Sequence, residues 1–344
     1  MGRDVRGRGM QYRFRRMVPA DVEAVARFHL RQRPLAPDLA REFPALLRRL
    51  LRAQLLFGGL VERLRVGARH WELAACGFSC YMGDALRERY FARPFPCLFA
   101  HVMERAAAGA VDEVMLAREE VAERHRRGPP RLDLLALSWL LDNYDASSDD
   151  TWQLMFQGYA MMDRFLAGVR LRSFVHEGKA HNRALFEATG YARLIEFSGT
   201  PGVDRGACPE GDDPATIMHG ISTVEDHRRN RIDSPVARMF AFREPFLDLT
   251  DRQKMVLDLA LEGYRDSEIA RFLKLSPNAV RMRWRGIYEK MQAALPGIFD
   301  ERDDGDPGRR GQEKRRIAIH YIREHPEEIR PVLVMPEEPP ERDA

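Results

Sequence analysis

Leu132–Leu141 reads Leu-Asp-Leu-Leu-Ala-Leu-Ser-Trp-Leu-Leu, ten residues with a single charge. Such a run has no polar face to offer water. It fits a strand covered on both sides, which requires a sheet with helices packed over it. The sequence around it supplies those helices. Pro19-Ala20-Asp21 opens one, with Val22, Val25, Ala26 and His29 as its inner face. A second amphipathic stretch covers residues 39–56, and residues 98–124 read as one long helix before Gly128-Pro129-Pro130. A polar loop over residues 142–150 leads into a helix to about residue 166, and residues 180–189 form a last one. Strands are expected at residues 11–16, 72–82, 171–175 and 191–197. Residues 10–198 are therefore expected to be an α/β domain.

Beyond residue 198 the alternation stops. Gly199-Thr200-Pro201-Gly202, the Cys208-to-Pro214 run and Asp233-Ser234-Pro235 interrupt any period, so residues 199–246 are expected as a linker or extended arm. Helical spacing returns at residues 251–294, within a small all-α module placed at 247–296. Residues 297–344 are expected as a polar linker, one charged helix near 312–324, and a disordered acidic tail containing Glu337, Glu338 and Glu341.

Bulk properties exclude several classes. The 344 residues carry 55 Lys+Arg and 52 Asp+Glu, a net charge of +3, so a uniformly basic coat is excluded and a compact basic module is not. No run approaches the ~18–20 apolar residues that would span a bilayer. The arginine-rich start has no apolar stretch behind it to make a secretory signal. Cys76, Cys80, Cys97 and Cys208 lack metal-site spacing, and neither a zinc site nor a disulfide framework is expected. Cys76 and Cys80 read as buried thiols on one strand face, and a cytoplasmic location, away from membranes, is the expectation.

The densest pattern lies near the carboxy end. Val256, Leu257, Ala260 and Leu261 form the stripe of a helix stopped by Gly263. Ile269, Ala270, Phe272 and Leu273 mark a short second helix. Ser276 as N-cap and Pro277 at the first helical position open a third, which buries Val280, Trp284, Ile287 and Tyr288. Between Arg271 and Lys290 stand six cations and one carboxylate, with Arg281, Arg283 and Arg285 on the outer face of the third helix. Guanidinium forks on such a face suit guanine edges and phosphates in a DNA groove.

These residues resemble the LuxR-type helix-turn-helix. The likeness rests on Leu249, Thr250, Arg252, Gln253, Val256, Leu257, Glu268, Ile269, Ala270, Ser276, Ala279, Val280, Arg281, Ile287, Tyr288 and Lys290. It implies a transcription regulator that binds double-stranded DNA. Asn278, Arg281 and Arg283 are the expected groove contacts, with Arg271, Lys274, Arg285 and Lys290 on phosphates. Partners left open are RNA polymerase, a small-molecule effector and a second copy of the chain. Two departures stand out. Arg265 replaces the family's small hydroxyl cap, which makes Asp266 the expected N-cap. Leu295-Pro296-Gly297 interrupts where the family's fourth helix should begin, leaving the helix near Gln312 as its candidate substitute.

The α/β region carries a second likeness. The run Arg15 to Val25 (RRMVPADVEAV) and the run Asn182 to Tyr191 (NRALFEATGY) resemble the opening and the close of the GNAT acyltransferase fold. That resemblance implies an acyl-coenzyme A cofactor such as acetyl-CoA, held by a Gly-rich turn at a helix start. Gln157 and Gly158 fit the start of that turn and Asn182 is retained, so these are the candidate cofactor contacts. Ala160 and Met162 replace the small residues usual there, and Phe186 stands where a tyrosine general acid is common. Three readings follow: an active N-acyltransferase, a noncatalytic ligand sensor, or a module for packing and oligomerisation. No catalytic residue or metal ligand is assigned.

Overall fold

A computed structural model describes residues 10–126, 129, 131–145, 147–166, 168–197, 208, 213–230, 234–299 and 307–330. The chain divides into two compact units, one of residues up to 165 with 170–240, the other of 166–169 with 241 onward.

The first unit is built on a mixed sheet of β1 (Met10–Arg16), β2 (Phe57–Arg65), β3 (Glu72–Tyr81), β4 (Leu132–Leu141), β5 (Leu171–Lys179), β6 (Arg193–Glu196) and β7 (Ile217–Thr223). Their order is β1-β2-β3-β4-β5-β7-β6, and only β4 and β5 run parallel. β4 lies at the centre, and every one of its residues except Trp139 is buried. Helices α1 (Val22–Gln32), α2 (Pro37–Arg52), α3 (Asp84–Ala92) and α4 (Leu98–Ala107) build a core with the sheet around Val25, Phe43, Leu47, Phe78 and Phe99. The unit also holds α5 (Arg118–Arg126), α6 (Asp149–Leu166), α7 (Arg183–Thr189), α8 (Val224–Asn230) and α9 (Pro235–Arg238). The thiols of Cys76 and Cys80 are buried in this core, and burial pushes both pKa values up.

Three expectations are corrected here, and two elements appear that the sequence does not signal. The single helix at 98–124 is two, α4 and α5, because Gly109 takes a left-handed φ of 84° and a short 3-10 turn, Val111–Glu113, intervenes. β2 and α3 carry no clean period in the sequence. Gly58-Gly59 interrupts β2, and α3 buries only Leu86 and Tyr90. Residues 217–230 and 234–240 do not belong to a linker: β7 inserts between β5 and β6, with Ile217, Met218 and Ile221 buried. Of the proposed arm, residues 199–207, 209–212 and 231–233 lie outside the described residues, as does the tail from 331. Finally, Cys97 and Cys208 form a disulfide across 111 residues, with Cα atoms 5.2 Å apart. Their spacing gives no hint of it. Cys208 packs with Phe197 and Ile217 against Cys97 and Ala100, a neighbourhood made only once β7 is in place.

One carboxylate ties these elements together. Glu177 on β5 is buried, and both its oxygens are occupied. Oε1 accepts from the Arg33 guanidinium beyond α1 and from the Phe99 amide at 3.4 Å. Oε2 accepts from the Leu98 amide at the start of α4 and from His219 Nε2 on β7 at 3.0 Å. A carboxylate only accepts, so His219 carries its proton on Nε2 and Nδ1 faces the Tyr90 hydroxyl at 2.7 Å. Burial would raise the Glu177 pKa, but the Arg33 charge and the hydrogen bonds outweigh it and hold the carboxyl well below the usual range.

The second unit comprises α10 (Asp251–Leu261), α11 (Asp266–Phe272), α12 (Pro277–Ala294), α13 (Pro307–Glu324) and a 3-10 turn, Pro326–Ile329. Val256, Leu257, Ile269, Val280, Trp284, Ile287 and Met291 share one core with Ala318, Ile322 and Ile329. The charged helix expected beyond a linker is thus a fourth wall of the same small bundle. Among the described residues no helix is long and apolar enough to cross a membrane.

Glu177→Gln should lower the stability of the first unit by about 3–5 kcal/mol, because Arg33 is left buried without its counter-charge; urea unfolding of the full chain measures it. Acid should also unfold this unit early. Burial lowers the His176 pKa from 6.5 to about 4 in the folded state. The unfolded chain therefore binds the proton first, and stability falls as pH drops from near 6.5 towards 4. A pH series of thermal melts, with His176→Gln flattening the loss, checks this.

Candidate nucleic-acid interface

Local chemistry sets the three-helix frame. Thr250 caps α10: its hydroxyl accepts from the Gln253 amide, while Gln253 Oε1 accepts from the Thr250 amide at 2.9 Å. This reciprocal pair explains why Thr and Gln stand three apart at the start of the motif. A Cβ on Gly286 of α12 would come within 2.9 Å of Gln253 Nε2, so α10 and α12 approach closely there. Gly263 ends α10 with a φ of 92°, and Lys274 takes a left-handed φ of 52° in the turn before α12. Ser276 caps α12, its hydroxyl accepting from the Ala279 amide at 3.1 Å, with Pro277 in the first turn.

Asp266 does not act as the N-cap of α11. Arg265 holds that position without a side-chain cap, and Glu268 accepts from its amide at 2.6 Å. Asp266 turns to the core side, where its Oδ1 accepts from Trp284 Nε1 and from the Arg315 guanidinium, each at 3.1 Å. Arg315 also donates to the Tyr264 carbonyl at 2.8 Å and lies 5.3 Å over the Trp284 ring. One residue of α13 therefore bonds the α10–α11 turn and the start of α11 while stacking on the Trp284 ring of α12.

With Val280, Trp284, Ile287 and Met291 turned inward, α12 presents Asn278, Arg281, Met282 and Arg285 to solvent. Three of these are among the residues singled out in the sequence. Met282 is not; it is 55% exposed, and its spacing of four from Asn278 could have placed it on this face. Arg271 and Lys274 are exposed at the end of α11 and in the turn after it. Arg285 is exposed and pairs with Glu289 one turn on at 2.9 Å, a contact of small stabilising value that DNA phosphate can displace. The other two cations are held differently. Arg283 is half-buried and donates to the Ala279 carbonyl at 3.0 Å. Lys290 donates to the Asp248 carbonyl, anchoring the strand of chain that leads into α10. Each spends a donor within the unit and neither is fully exposed, so the exposed cationic face is narrower than the sequence implies.

The proposed cofactor contacts separate. Gln157 and Gly158 lie in the third turn of α6, where helix bonds occupy the backbone amides, not at a helix start. Gly158 is small because Trp139 lies on it: a Cβ there would come within 2.4 Å of the indole. The turn that does precede α6 carries Asp142 and Asp145, and the first turn of α6 carries Asp149 and Asp150. Asp142 and Asp150 both pair with Arg63, and Asp150 accepts from the Tyr12 hydroxyl. A pyrophosphate would meet carboxylates there. Asn182, by contrast, lines a cavity of about 370 Å³ that opens where β4 and β5 part beyond Ala136 and His176. Gln32, Arg33, Trp139, Glu177 and Lys179 line it too. Phe186 lies in the core, stacked on His176 at 4.8 Å and against Gly178 and Gly220.

Residues 247–294 match the family described as bacterial regulatory proteins, luxR family, a class of DNA-binding transcription regulators. Nothing among the curated proteins or the solved structures matches the chain with significance. The matched segment ends at the last residue of α12, so α13 and the Arg315 contacts fall outside it.

Proposed function

We propose that this chain is a sequence-specific transcription regulator whose α12 lies in the major groove of double-stranded DNA. The observation that carries the reading is the solvent face of α12, with Asn278, Arg281 and Arg285 exposed in a segment matching the LuxR family. Asn278 and Arg281 are assigned to base edges, Arg271, Lys274 and Arg285 to phosphates. In this reading the first unit is an acyltransferase-like sensor or oligomerisation module that conditions DNA binding, with a small-molecule effector, a second copy and RNA polymerase as partners, and the protein works in the cytoplasm.

A noncatalytic role for the first unit is supported by three features. The turn before α6 is acidic, Phe186 offers no hydroxyl, and Glu177 has no free lone pair to take a proton from an amine. The cavity between β4 and β5 remains a place for an effector.

Selection from a random duplex pool with the full chain should enrich one sequence. On it Arg281→Ala should weaken binding by about 1–3 kcal/mol and relax one position, while Arg271→Ala should mainly flatten the salt dependence. Failure of the full chain to enrich any sequence at low salt rejects the reading. Titration calorimetry of the full chain with acetyl-CoA should give no heat and no rise in melting temperature; binding and turnover together would restore the enzyme reading.

A further inference from the structure

Beside the exposed face of α12 runs a groove of about 950 Å³, walled by α12 on one side and α13 on the other. Trp284, Tyr288 and Phe299 give it an aromatic lining, the first two rings stacked at 5.6 Å and Phe299 set edge-on to Tyr288 at 5.6 Å. Arg281, Arg285, Lys314 and Arg315 supply four cations to its walls, against the carboxylates of Asp266 and Glu289. Both carboxylates are already paired, Asp266 to Arg315 and Glu289 to Arg285. Arg281 and Lys314 are exposed and form no ion pair among the described residues, so the groove keeps uncompensated positive charge. Lys314 sits 5.5 Å over the Phe299 ring, which holds its ammonium on the groove.

We propose that this groove is a second element of the DNA interface and takes the phosphodiester backbone flanking the base pairs that α12 reads. The inference rests on the DNA-binding reading and extends it. Two observations choose the occupant. The charge is complementary to a polyanion, and the groove is continuous with the reading face, since Arg281 and Arg285 belong to both. Sugar faces can pack on the aromatic lining while Lys314 neutralises a phosphate, with the Gln312 amide, also on the groove, as a neutral donor. Because Lys314 and Gln312 lie on α13, the contact surface reaches beyond the segment that matches the LuxR family.

The test uses the full chain on its selected duplex, with affinity measured between roughly 0.05 and 0.3 M salt for wild type, K314A, K314E, K314R and R281A. K314A should reduce the slope of log K against log salt by about 0.9 and the low-salt affinity roughly five- to tenfold, as loss of one phosphate contact requires. K314E should lose more and K314R should restore binding. Trimming the duplex to the selected base pairs should erase the difference between wild type and K314A, which a folding defect could not do. Wild-type slopes in K314A and K314E, alongside weakened R281A, would overturn the groove assignment and leave the DNA reading intact. A K314A loss that persists on the trimmed duplex would overturn it equally. A wild-type chain that binds no duplex would remove both.

Discussion

The first unit depends on the neutralisation of one buried carboxylate. Glu177 reaches from β5 to the chain after α1, to the start of α4 and to β7, three places far apart in sequence. A charge taken out of water is costly unless its lone pairs are filled, so Arg33, His219 and the Leu98 amide must all be present for the carboxylate to stay. This fixes β7 beside β5 and brings Cys97, at the start of α4, to a position where Cys208 can reach it. It also removes Glu177 from chemistry. A carboxylate held low and fully bonded is a poor base.

In the second unit the same logic acts on a smaller scale. Trp284 has an apolar ring to bury and an N–H to satisfy, and Asp266 satisfies it at 3.1 Å. Asp266 then needs its own counter-charge, which comes from Arg315 on α13. α12 is thereby set by two residues of neighbouring helices, Asp266 of α11 and Arg315 of α13. In the proposed reading this fixes the backbone of α12 before DNA binds.

Much of this was legible in the sequence where the cause is local. The unbroken apolar run of β4, the Thr250–Gln253 pair, the Ser276-Pro277 start and the glycine stop after α10 each depend on residues within a few positions, and each was readable. What failed to show depends on distant partners. β7 follows a Gly- and Pro-rich stretch, carries Gly220, and becomes a strand only by pairing with β5 and β6. No disulfide is expected from the cysteine pattern, because nothing along the chain reports the proximity of Cys97 and Cys208. Gly158 resembled a phosphate turn, yet its small size answers to the Trp139 ring across the helix–sheet contact. Arg283 and Lys290 looked like free cations because their carbonyl acceptors cannot be seen from charge and spacing alone.

The central claim is that the cationic face of α12 is where DNA sits. Amide hydrogen exchange of the full chain, with and without the selected duplex, tests it most directly. Added protection over residues 276–290 and around Lys314 is the predicted result. Unchanged exchange across residues 247–294 in the presence of bound DNA would contradict it.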